Sequence, residues 1–161
     1  MIDMRQCEEQ RSLSIEFDPY VPFTATWRGI REILDKPIYV VISDGNGCLE
    51  LKFHPHDRYL IEVVLVAAAG MQVKDEMLSP VPSSVRDLAP FLEPGGLGVV
   101  EKHSLGIEAY RDYLCVTFEG GPVSRWVGED PVLLGQASNG SFAGVCVKWS
   151  DFERESLLTG S

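Results

Sequence analysis

Apolar and polar residues alternate with a period of two along much of this chain, the pattern of half-buried strands. Ser12 to Asp18 is the most regular run: Leu13, Ile15 and Phe17 fall on one side, and Ser12, Ser14, Glu16 and Asp18 on the other. Ile38 to Ser43 and Cys48 to Phe53 flank Asp44-Gly45-Asn46-Gly47, whose residues tolerate positive φ, so this stretch predicts a hairpin. His54-Pro55-His56-Asp57-Arg58 then turns the chain into Tyr59 to Ala67. The nearly continuous apolar run there predicts the most deeply buried strand of a three-stranded meander.

The second half repeats the pattern. Gly98 to Glu108 holds one or two short strands, and Tyr113 to Glu119 sets Leu114, Val116 and Phe118 against Tyr113, Cys115, Thr117 and Glu119. Gly120-Gly121-Pro122 leads into Val123 to Val127, and Asn139-Gly140 precedes a last strand, Phe142 to Trp149, with Val145, Val147 and Trp149 on one face.

Helical spacing is rarer. Trp27, Ile30, Ile33 and Leu34 predict a helix over Thr24 to Asp35 that ends at Pro37. Ser83 or Ser84 is placed to cap a second, short helix through Ala89, which Pro90 limits. Ser150-Asp151-Phe152-Glu153 reads as a capping box that opens a terminal helix. Pro80 to Gly96, with four prolines, is the expected long surface connection. The expected fold is therefore α+β. It is a single domain over residues 1–161, with a mostly antiparallel sheet of about seven or eight strands in meander and hairpin arrangement and two or three short helices.

Composition sharpens the functional side. Of 161 residues, 45% are hydrophobic and 24% charged, as in an ordinary folded domain. The charge is lopsided: 24 acids against 14 bases give a net of -10. Such a surplus repels phosphate backbones and anionic lipid, so neither nucleic acid nor a membrane is an expected partner, while basic macromolecules are attracted. The start of the sequence has no basic leader and apolar run, and the longest apolar stretch, Val63 to Ala69, is far too short to span a bilayer; a cytoplasmic protein is expected. Cys7, Cys48, Cys115 and Cys146 are widely spaced with no Cys-x-x-Cys pair, so free thiols and no structural metal are expected.

Candidate chemistry is sparse. His54-Pro55-His56-Asp57 gathers potential ligands or proton carriers, with His103 the one further histidine, but a solvated turn explains the same residues. No Gly-x-Ser-x-Gly elbow or phosphate-binding loop is present, and no cofactor is expected. The acids themselves concentrate in two places, residues 1–18 and 112–137, each with a net of -3. The second stretch brings Asp112, Glu119, Glu129 and Asp130 together with Arg125 and Trp126. An aromatic anchor ringed by carboxylates suits the capture of a basic protein; the alternative is a solvated hairpin with Trp126 folded into the core.

In size, acidity and small α+β build the chain resembles immunity proteins that neutralise bacterial toxins by plugging a basic active-site cleft. The resemblance implies inhibition by occlusion of a basic toxin or enzyme, and it carries over no individual position. Two other readings stand beside it. One is a small enzyme or ligand-binding protein with a pocket over the sheet, using His54, His56, Asp57 or His103. The other is a subunit that forms a homodimer through an exposed strand edge.

Overall fold

A computed structural model describes residues 2–29, 35–83, 87–94, 100–101, 104–118 and 122–159. The first half supplies β1 (Ile2–Gln6), β2 (Ser12–Phe17), β3 (Phe23–Arg28), β4 (Ile38–Asp44), β5 (Gly47–Phe53), β6 (Leu60–Ala67), β7 (Gln72–Val73) and β8 (Leu88–Leu92). The second half supplies β9 (Val100–Glu101), β10 (Gly106–Ala109), β11 (Tyr113–Thr117), β12 (Arg125–Glu129), β13 (Val132–Gln136), β14 (Phe142–Lys148) and the helix α1 (Asp151–Thr159).

These strands form three sheets, not one. The first is six-stranded in the order β2-β3-β6-β5-β4-β9, the second six-stranded in the order β12-β13-β14-β11-β10-β7, and the third is the ribbon β1-β8. All pairings are antiparallel except the short contacts of β7 with β10 and β9 with β4. One apolar core joins the two large sheets: Phe23, Leu49, Leu51, Phe53, Val63 and Leu65 from the first meet Leu114, Val116, Phe142, Val145 and Val147 from the second. Alternation along each strand thus places one set of side chains in a shared interior, which makes the fold a sandwich.

The α+β expectation is corrected accordingly: the chain is mostly strand, with one helix among the described residues. Thr24 to Arg28, expected to be helical, lies in β3. Phe23 and Ala25 face the core while Thr24, Thr26 and Arg28 face outward, and pairing with β2 on one side and β6 on the other fixes the extended backbone. The other residues behind the helical spacing, Ile30, Ile33 and Leu34, lie outside the described residues. Likewise Leu88 and Ala89, assigned to a short helix, belong to β8. Pro90 sits there opposite Met4, which a two-stranded ribbon permits because its outer edge needs no amide donor. The terminal helix does form, with Ser150 N–H donating to Glu153 Oε1 at 2.8 Å and Glu153 N–H to Ser150 Oγ at 3.1 Å.

Unlike the first sheet, the second buries both faces of its central strands β11, β13 and β14. Its outer face carries Tyr113, Cys115, Leu133 and Cys146, covered by Leu78, Tyr110 and Trp126. Cys115 and Cys146 stand opposite one another on β11 and β14 with Cα atoms 4.3 Å apart and form a disulfide, which corrects the expectation of free thiols; Cys7 and Cys48 are free. Two strands of alternating pattern cannot reveal that their cysteines share a register. No helix among the described residues is long and apolar enough to cross a membrane.

The ribbon touches both large sheets at one end of the sandwich. Asp3 bridges to Ser141 beside β14, and Phe91 bridges to Tyr59 beside β6. Arg58, at φ 66°, fastens the contact: its Nε donates to Leu92 O at 2.6 Å and a terminal nitrogen to Glu93 O at 2.7 Å.

Candidate ligand pocket

Where the connection from β1 to β2 meets the first sheet, a cavity of about 770 Å³ opens. Three pieces of chain make its wall: Cys7, Glu9 and Arg11 between β1 and β2, Thr26 to Gly29 at the end of β3, and His54 to Glu62 from the turn after β5 into β6. The antiparallel order β2-β3-β6-β5 explains the convergence, since it brings the end of β3 beside the start of β6.

Several wall residues are held by local chemistry. The Arg11 guanidinium donates to Leu60 O at 2.5 Å and lies 6.0 Å from the centre of the Trp27 ring, a cation beside an aromatic face. Tyr59 donates its hydroxyl to Gln6 O at 2.5 Å and packs edge-on against Phe91, with ring centres 5.4 Å apart. Burial, and then the neighbouring Cys7, push the Tyr59 phenol above the ordinary tyrosine value. The wall residue Glu62 accepts a hydrogen bond from Lys52 at 3.1 Å. Burial pulls the Lys52 ammonium down, but the bond to Glu62 outweighs it, leaving Lys52 above the ordinary lysine value.

His54 has a specific role here. Its Nδ1 accepts the backbone N–H groups of His56 at 3.1 Å and Asp57 at 3.2 Å, while Asp57 Oδ1 accepts the Tyr59 N–H at 3.0 Å. An Nδ1 that accepts two amides carries no proton of its own, so neutral His54 presents Nε2–H, a donor. It builds the turn and offers a hydrogen bond; it is not free to act as a proton acceptor at Nδ1. His56 Nε2 lies 2.6 Å from Asp35 Oδ2 at an exposed position. Among the described residues no group of three or more His, Cys, Asp or Glu gathers as a metal ion would require.

The structure therefore brings His54, His56 and Asp57 to one cavity, with Cys7, Arg11, Trp27 and Tyr59 as neighbours that sequence reasoning missed. His103 and Glu119 lie outside the described residues.

The acidic stretch around Trp126 is arranged differently. Asp112 accepts the N–H of Leu78 at 2.7 Å and of Ser79 at 3.0 Å, pinning the strap that covers the outer cluster. Asp130 accepts the Tyr113 hydroxyl and lies 3.5 Å from the Lys148 ammonium. Arg125 donates to Gln136 at 2.6 Å, and Trp126 packs on the disulfide cluster, its carbonyl accepting the Ser83 N–H at 2.7 Å. Asp112, Arg125 and Asp130 each have partners within the chain, and Trp126 lies against its own sheet.

Neither a protein-family model nor a curated protein matches the chain.

Proposed function

We propose that this chain is a ligand-binding domain that holds a neutral or zwitterionic small molecule in the cavity between the β1–β2 connection and the first sheet. The observation that carries the reading is the composition of the wall around about 770 Å³ of space, a volume in the range of sites for small organic ligands. Trp27 and Tyr59 supply aromatic surface for a flat or apolar ligand face. Groups of both signs line it: Glu9, Asp57 and Glu62, the last paired with Lys52, alongside Arg11 and Arg28. Within a chain of net charge -10, this local balance disfavours polyphosphates and polycations alike.

The inhibitor reading, in which acidic loops around Trp126 occlude a basic toxin or enzyme, is supported by the net charge of the chain. It draws less support from the side chains it would use, since Asp112, Arg125 and Asp130 are engaged internally.

The test is backbone amide and Trp indole NMR on the chain titrated separately with simple sugars, free amino acids and nucleosides. Saturable shifts should gather at 7–11, 26–29 and 54–62, with the Trp27 indole among them. Gly29→Phe should abolish them, because a side chain there grows from the cavity wall toward the Glu9 carboxylate, 2.5 Å from an added Cβ. No response to any probe, or shifts that survive Gly29→Phe, would refute the proposal.

A further inference from the structure

Four strands end the two large sheets, and three are blunted. β7 and β9 are two residues long. β12 is covered by a bridge from Pro82 to Trp126 and by the Ser83 amide, which donates to Trp126 O at 2.7 Å. β2 is the exception: it is six residues long, contains no lysine or proline, and runs in unbroken register with β3. Among the described residues, no strand or loop other than β3 pairs with its backbone. An open, regular edge with half-buried apolar side chains is a template for another strand.

The sequence of β2 and the residue after it indicates which strand. Ser12-Leu13-Ser14-Ile15-Glu16-Phe17-Asp18 has the same polar and apolar order read from either end, with serines before Ile15 and acids after it. An antiparallel copy centred on Ile15 sets Ile15 against itself and Leu13 against Phe17 of the second copy. On the outer face it sets Ser14 opposite Glu16 and Ser12 opposite Asp18. Glu16 then meets the Ser14 hydroxyl, Asp18 lies opposite a neutral serine, and no two acids meet, in both halves of the twofold pair. A strand paired antiparallel with its own copy also presents the matching set of free amides and carbonyls.

We propose that two copies of the chain join through β2, antiparallel about Ile15, merging their first sheets into one continuous sheet. The inference is independent of what the cavity binds.

Sedimentation equilibrium over a wide concentration range tests it. The native chain should self-associate to a dimer, and raising the salt should tighten it by screening two acidic bodies. Ser14→Glu, an exposed outer-face change, sets carboxylates opposite Glu16 twice per dimer and should weaken association about tenfold. Adding Glu16→Lys to that variant replaces both repulsions with attractions and should restore native affinity. A native chain that stays monomeric throughout would overturn the proposal, as would a dimer indifferent to Ser14→Glu. Failure of the double variant to recover would exclude the Ile15 register.

Discussion

The two large sheets treat their outer surfaces in opposite ways. Over the second sheet, Asp112 holds the strap at Leu78 and Ser79, a disulfide and Trp126 fill the space beneath, and the polar groups described there are paired within the chain. At the end of the first sheet, Glu9, Arg28 and the aromatic faces of Trp27 and Tyr59 surround open volume. Residues 1–18 and 112–137 carry the same net charge of -3, yet Asp112 and Asp130 are engaged within the chain while Glu9 lines open volume. A count of carboxylates therefore says little about where a partner sits; what matters is whether each group already has its hydrogen bonds.

The largest expected effect tests the structural side. Replacing both Cys115 and Cys146 with alanine removes a cross-link spanning 31 residues and should lower stability by about 3 kcal/mol in urea unfolding, while ligand shifts at the cavity persist. A loss below about 1 kcal/mol would mean that the outer cluster stands without its bridge. Next comes Asp112→Ala, which leaves two amides without an acceptor and should lower stability by about 2 kcal/mol; Asp57→Ala, which frees one amide at an exposed turn, should lower it by less than about 1 kcal/mol. Equal losses would erase the contrast between the two regions.

The smallest effect is spectroscopic. Glu108 accepts the Tyr110 hydroxyl at 2.6 Å and raises its pKa to about 12, with burial adding to the shift. A raised phenol stabilises the fold below the unfolded value near 10 and loses that contribution as pH climbs through the folded one. Tyrosinate absorbance should accordingly keep a component that appears only towards pH 12, and Tyr110→Phe should diminish it, leaving the contribution of Tyr113, which burial and its bond to Asp130 raise further.

Much of the strand content was legible because alternation reports a single dry face. Ser12 to Phe17, the hairpin about Asp44 to Gly47, and the capping box at Ser150 fall where their patterns place them. β3 was misread because Trp27 fits a helical stripe with Ile30 and Leu34 as readily as a strand with Phe23 and Ala25; the neighbours β2 and β6 decide between them. The same blindness to neighbours hid the division into three sheets and the Cys115–Cys146 pairing. For the cavity, the turn residues His54, His56 and Asp57 were visible as a cluster. Cys7, Arg11 and Trp27 were not, because their convergence depends on strand order, which local periodicity does not encode.

The ribbon gives the cavity wall an unusual mechanical footing. Cys7 and Glu9 continue from β1, and that strand's ribbon is tied to the second sheet through Asp3 and Ser141 and to the first through Tyr59 and Phe91. It acts as a crossbeam between two panels. A molecule pressing on this wall should load both panels together, so a ligand that fills the cavity should slow amide exchange as far as β14.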